Sequence, residues 1–117
     1  KAICLHAAIL ANDIEAKTIN TLTNSGYTAF QISAWRPKAH ILAFTSNKNM
    51  LTQLSLLWGV TAFWYDKYES TDITIEDIND IAKEHNYVKS GDFTISLASM
   101  PIIEKGMVNT IRVSEIA

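Results

Sequence analysis

The chain has 117 residues, a length typical of one domain built around one hydrophobic core. Apolar residues make up 48% and charged residues 19%, close to globular averages, and no low-complexity run suggests a disordered tail. Ten basic and 12 acidic residues give a net charge of −2 and leave no basic patch that would bind nucleic acid or an anionic membrane. These totals predict a globular domain that binds neither nucleic acid nor an anionic membrane.

The single cysteine, Cys4, excludes an internal disulfide and lies in an apolar stretch, as an inert buried thiol does. It fits a reducing compartment, so we expect a cytoplasmic protein. The apolar opening stretch ends at Ala11 and is too short to span a bilayer, which takes about 20 residues. Because the chain begins with Lys1 rather than Met, we expect it to be part of a longer protein.

Helical and strand patterns alternate along the chain. Helices are predicted at 2–14, 27–35 and 48–58 and from Thr74 onward, and strands at 17–22, 40–44, 60–65, 92–98 and 109–115. Thr74 and Asp77 have the spacing of a capping box, and Gly59 is placed to end the third helix.

The connections between the predicted strands decide the topology. Helices separate the first four strands, which favours right-handed crossovers and a parallel arrangement. Only about ten residues separate the last two strands, and a parallel return needs a dozen or more. The sequence therefore predicts an α/β fold, a three-layer α/β/α sandwich whose mixed five-stranded sheet has an antiparallel last strand.

One turn has the composition of an anion site. It joins the first strand to the second helix and consists of Thr23, Asn24, Ser25, Gly26, Tyr27 and Thr28. Free backbone N–H groups, the helix dipole and three hydroxyl groups favour a phosphate at such a position. The alternative is that Asn24 or Ser25 simply caps the helix. The similar turn at 45–48 is interpreted as a plain helix cap.

The residue types needed for catalysis or metal binding fall in unrelated elements. His6, His40 and His85 show no metal-ligand spacing, and no glycine-rich nucleotide fingerprint is present. Acidic residues between Asp72 and Asp80 are typical of a solvated helix face. The aromatic side chains Trp35, Trp58, Phe63 and Trp64 are expected in the core or at an interface. We expect no catalytic residue, metal site or cofactor in this chain.

Six segments, in order and with matching spacing, carry a family resemblance. They are 13–28 (DIEAKTINTLTNSGYT), 35–47 (WRPKAHILAFTSN), 56–60 (LLWGV), 70–72 (STD), 89–92 (KSGD) and 109–113 (NTIRV). Together they make the chain resemble, over residues 1–117, the C-terminal domain of pyruvate kinase of the bacterial type.

The resemblance implies a regulatory and subunit-assembly role in glycolysis. Transfer of phosphate from phosphoenolpyruvate to ADP, with magnesium and potassium, would then occur in a (β/α)8 barrel domain that this chain lacks. A sugar phosphate effector such as fructose 1,6-bisphosphate would bind residues 23–28, with Lys105 meeting a second phosphate. Subunits would pair as a homo-oligomer through the last strand, Asn109 to Glu115. An interaction module of the same fold, without an effector, is the alternative.

Three features depart from the family pattern. Tyr27 stands where many relatives carry Lys or Arg, and the loop from Pro101 to Gly106 has bulky residues where relatives are rich in glycine. Asn20 lies within the first strand at a position that is usually apolar.

Overall fold

The computed structural model describes residues 2–22, 27–66, 71–98 and 110–117. Helices and strands alternate in these residues as α1 (Ala2–Asp13), β1 (Thr18–Leu22), α2 (Tyr27–Ala34), β2 (His40–Thr45), α3 (Lys48–Ser55), β3 (Val60–Trp64), α4 (Thr71–Glu84), β4 (Phe93–Ala98) and β5 (Thr110–Glu115).

The strands form one sheet in the order β3-β2-β1-β4-β5. β1 pairs in parallel with both β2 and β4, and β2 pairs in parallel with β3. β5 runs antiparallel to β4, with Ile95 opposite Val113. The predicted fold class, including the antiparallel last strand, is confirmed.

Two hydrophobic clusters lie on opposite faces of this sheet. On one face, apolar side chains of β1, β2 and β4 pack against α1, α2 and α3 through residues such as Ile19, Ala29 and Leu54. On the other face, Phe44 and Leu42 pack against Ile78 and Ala82 of α4. Alternation along each strand sends successive side chains to opposite faces, so one sheet supplies both clusters. Cys4 is buried in the first cluster, as predicted.

Two helix ends differ from the predicted ones. α4 begins at Thr71, three residues before Thr74, and Thr74 is fully buried within the helix. The predicted capping box is therefore wrong: burial in the helix, rather than capping, explains this threonine. α3 ends at Ser55 with Leu56 as its C-cap, so Gly59 does not cap it. Gly59 instead has a positive φ of 70° immediately before β3.

The three tryptophans are not core residues. Trp35, Trp58 and Trp64 are each about half exposed, whereas Phe63 packs against the second cluster. Arg36 lies over the ring of Trp58, and Lys48 lies over that of Trp64. Of the helices in the described part of the chain, none combines the length and the apolar character that crossing a membrane requires.

Candidate functional site

The sheet reverses its strand order between β1 and β4. From β1 the chain continues to β2 on one side, and from β4 it continues to β5 on the other. β1 and β4 are parallel neighbours whose last paired residues are Thr21 and Leu97, so their carboxyl ends lie side by side. In open α/β sheets, ligands bind at such a topological switch point, outside the carboxyl ends of the strands. The region outside the carboxyl ends of β1 and β4 is therefore the candidate binding site.

The predicted anion turn begins at this switch point. β1 ends at Leu22 and α2 begins at Tyr27, with Thr28 partly buried in its first turn. The structure therefore places the N-terminus of α2 just after β1, with the positive dipole end and the N–H groups that have no partner within the helix itself. Four predicted site residues, Thr23, Asn24, Ser25 and Gly26, and also Lys105, lie outside the described residues, as does the side chain of Tyr27. Their role in binding stays a prediction.

The N-terminus of α3 is closed by its own cap. The side-chain oxygen of Asn47 accepts a hydrogen bond of 3.1 Å from Asn49 N–H, and Asn47 N–H donates to Thr45 Oγ1 at 3.0 Å. The cap predicted for the turn at 45–48 is confirmed.

β5 forms one edge of the sheet and exposes part of its backbone. Ile116 N–H donates to Asp92 O, and Ile116 O accepts from Gly91 N–H, so Ile116 faces β4. Backbone groups alternate along an antiparallel strand, which turns those of Ser114 and Arg112 toward β4 as well. The N–H and C=O groups of Val113 and Ile111 therefore point away from the sheet. Asn109, where this strand was predicted to begin, lies outside the described residues.

The side chains of β5 divide between core and solvent. Ile111 packs against the first hydrophobic cluster, while Val113 is 46% exposed. Arg112 and Glu115 are also exposed. Among the described strands, none pairs with the outer side of β5, which combines outward backbone groups with an apolar side chain and two charged ones.

A buried polar cluster lies between α4 and the sheet, and the sequence patterns did not predict it. Asn79 of α4 accepts two hydrogen bonds through Oδ1, from Asn20 Nδ2 at 3.0 Å and from Thr94 Oγ1 at 2.8 Å. Asn79 lies next to Ile78 on the buried face of α4. A polar residue at such a position is the sequence signal that could have revealed the role of Asn79. This contact gives a structural account of Asn20, the strand residue that departs from the family pattern.

His40 and His85 each lie within hydrogen-bond distance of one other residue. His40 Nε2 lies 3.2 Å from Thr61 Oγ1 and its ring packs 4.9 Å from that of Tyr87. His85 Nδ1 lies 2.9 Å from Ile81 O at the end of α4. Across residues 2–22, 27–66, 71–98 and 110–117, no group of three His, Cys, Asp or Glu side chains is arranged to hold a metal ion.

The predicted acidic face of α4 includes one partly buried side chain. Asp77 accepts a hydrogen bond of 2.8 Å from Tyr65 OH, while Glu76 and Asp80 are exposed. Asp77 thus links α4 to the residue that follows β3.

Comparison with known proteins gives consistent sequence matches. The protein-family model described as pyruvate kinase, alpha/beta domain, matches residues 1–114. Pyruvate kinase of Lactobacillus delbrueckii subsp. bulgaricus is 38% identical over 102 residues, which are 87% of this chain and 17% of that protein. Pyruvate kinase of Clostridium acetobutylicum is 37% identical over 111 residues, 95% of this chain and 24% of that protein.

Solved structures of pyruvate kinase also resemble this chain. A crystal structure of pyruvate kinase from Cryptosporidium parvum superposes with a TM-score of 0.87 and 28% identity over 99% of this chain and 22% of that one. The chain thus spans between 17% and 24% of the length of these relatives.

Proposed function

Because this chain belongs to the pyruvate kinase family, as its C-terminal alpha/beta domain, we propose that it joins subunits and binds a regulatory anion in a pyruvate kinase. Transfer of phosphate from phosphoenolpyruvate to ADP in glycolysis is then the work of a barrel domain elsewhere in a longer cytoplasmic chain. We assign the magnesium and potassium ions of that reaction to the barrel domain too.

The subunit-joining role is supported by the outer edge of β5. An unpaired strand edge is a template for pairing with another chain. Two copies related by a two-fold axis would place their β5 strands antiparallel and extend both sheets into one. Val113 would then lie in the interface, and Arg112 and Glu115 would limit further growth of the sheet.

Replacing Val113 with proline should abolish self-association. Proline removes an outward backbone donor and fixes φ near −65°, and it leaves intact the N–H groups that face β4. An interface built on one strand is small, so dimerisation should be weak and concentration-dependent. Sedimentation velocity over a concentration series should show a wild-type dimer and a Val113→Pro monomer. Ile111 is a poorer choice because its larger side chain packs against the first cluster, and replacing it would remove those contacts as well.

The opposite edge of the sheet provides a matched control. Tyr65 N–H donates to Thr45 O, and Gly59 O accepts from Ile41 N–H, so Ala62 between them has its backbone groups directed outward. Ala62→Pro therefore removes an outward donor from β3 instead of β5, and it should dimerise like the wild type. Wild-type chains that are monomeric at every concentration, or a dimer lost only in Ala62→Pro, would contradict assembly through β5.

The anion-binding role is supported by the position of α2. Its N-terminus follows β1 at the switch point, where the helix dipole contributes about 0.3–1 kcal/mol toward an anion. The predicted ligand is a sugar phosphate such as fructose 1,6-bisphosphate, bound by residues 23–28 and by Lys105. Without a basic residue at position 27, the affinity should be modest and should fall with added salt.

Titration with fructose 1,6-bisphosphate should shift the backbone amide signals of residues 24–28 first, as followed by NMR. The amide of Asn49 is an internal control, because Asn47 already satisfies it at the start of α3. Inorganic phosphate should shift the same amides at higher concentration. Saturating ligand with no shift at residues 24–28 would favour the alternative, an assembly module of the same fold that binds no effector.

A further inference from the structure

The sheet face beneath α4 carries four polar side chains on two neighbouring strands, β1 and β4. Thr18 and Asn20 of β1 lie opposite Thr94 and Ser96 of β4 in the strand register. All four are buried, and Asn20 and Ser96 are 0% and 1% exposed. On the neighbouring strand β2, His40 lies opposite Thr18 and the apolar Leu42 lies opposite Asn20.

Some of the polar atoms on this face form no hydrogen bond within the described part of the chain. Asn79 satisfies Asn20 Nδ2 and Thr94 Oγ1, but Thr18 Oγ1, Asn20 Oδ1 and Ser96 Oγ have no hydrogen-bond partner among the described residues. Leaving such atoms unpaired in the interior is costly, and buried polar groups are normally paired with protein or with ordered water. These three atoms therefore call for additional partners.

Rearranging the side chains does not remove this requirement. If the oxygen and nitrogen of both amides were exchanged, Asn79 Nδ2 would donate to Asn20 and to Thr94, and Asn20 would still have one polar atom unpaired. The backbone offers little help, because β1 and β4 each have a neighbouring strand on both sides and their ladder bonds occupy the carbonyl groups.

Two of the three unpaired groups, on Asn20 and Ser96, lie at paired positions of neighbouring strands. Asn20 and Ser96 are direct partners in adjacent strands, which lie about 4.7–4.9 Å apart, and their side chains project from the same face. A single oxygen atom that forms a hydrogen bond of about 2.8 Å to each group can therefore join side chains at such paired positions. We propose that an internal water binds here, donating to Asn20 Oδ1 and bonding to Ser96 Oγ.

This water would complete the contact between α4 and the sheet. The Asn20–Asn79–Thr94 bonds join the helix to β1 and β4, and the water extends that network to Ser96. A satisfied polar network fixes one arrangement of helix and sheet more specifically than apolar packing does, because a shifted helix would leave its members unpaired. Asn20 and Ser96 are thus ligands of a structural water.

A high-resolution crystal structure of the 117-residue chain tests the proposal directly. Density for a water should lie within hydrogen-bond distance of both the Asn20 amide and Ser96 Oγ. In solution, the Asn20 side-chain amide protons should show direct NOEs to a long-lived water. A Ser96 hydroxyl bonded to a carbonyl group, with neither density nor NOE at Asn20, would overturn the proposal.

Two substitutions sharpen the test. Ser96→Ala removes one ligand and should abolish the NOE between water and Asn20. Thr21→Val is the matched control, because the buried hydroxyl of Thr21 also lacks a partner among the described residues but lies on the opposite face of β1. That variant should keep the NOE at full intensity. An NOE unchanged in Ser96→Ala, or lost equally in Thr21→Val, would contradict a site made by Asn20 and Ser96. If Ser96→Ala fails to fold, the wild-type density and NOE decide the matter.

Discussion

Replacing Asn79 with alanine should lower the free energy of unfolding by about 2–4 kcal/mol, because two buried donors lose their common acceptor. Asn20 Nδ2 and Thr94 Oγ1 both donate to Asn79 Oδ1, and both residues are 0% exposed. Leaving a buried donor unpaired costs its full desolvation penalty, which exceeds the net contribution of a hydrogen bond. Urea unfolding followed by circular dichroism should show a lower midpoint with an unchanged m-value.

Two comparisons separate this explanation from a general loss of packing or helix propensity. Asp80→Ala alters the next residue of α4, which is exposed, and should change stability by less than about 0.5 kcal/mol. A triple variant, Asn20→Val with Asn79→Leu and Thr94→Val, removes donors and acceptor together and should recover most of the stability that Asn79→Ala loses. A triple variant less stable than Asn79→Ala would show that the cost does not arise from unpaired donors.

The order of the elements was predictable because it depends on local patterns. Helical spacing, short β-branched runs and turn residues recur along the chain, and the short connection before β5 was enough to predict its direction. The start of α2 at Tyr27 was predicted for the same reason. The position of the candidate anion site thus follows from the sequence.

The buried polar cluster was not predictable because its members are far apart along the chain. Asn20 and Asn79 are separated by 59 positions, and neither alone differs from a surface amide. Thr74 shows the same limitation, since its spacing from Asp77 fits a cap although the helix in fact starts at Thr71. Contacts between a helix and the sheet depend on how the two pack together, and a short stretch of sequence does not contain that information.

Phe44→Ala should cause the largest loss of stability, about 3–5 kcal/mol, because it removes a fully buried ring and leaves a cavity. The ring of Phe44 stacks on that of Phe63 at 5.2 Å between centroids and meets the edge of Tyr65 at 6.1 Å. Such aromatic pairs contribute roughly 0.5–1.5 kcal/mol beyond their buried area. A domain of ordinary stability has only about 5–15 kcal/mol in total. Urea unfolding should therefore show a markedly lower midpoint for this variant.

Graded substitutions show which part of this loss comes from volume and which from the ring. Phe44→Leu keeps most of the volume but loses both ring contacts, so it should cost about 1–2 kcal/mol, well below the alanine variant. Leu56→Ala is the matched control, because Leu56 is 82% exposed and its truncation should change stability by less than about 0.5 kcal/mol.

The second cluster joins α4 to the sheet through Phe44, Leu42 and Ile78, so loss of Phe44 should also loosen α4. Hydrogen exchange should then accelerate in α4 more than in α1, which packs on the opposite face. Equal acceleration in both helices would mean that the two faces unfold as one unit.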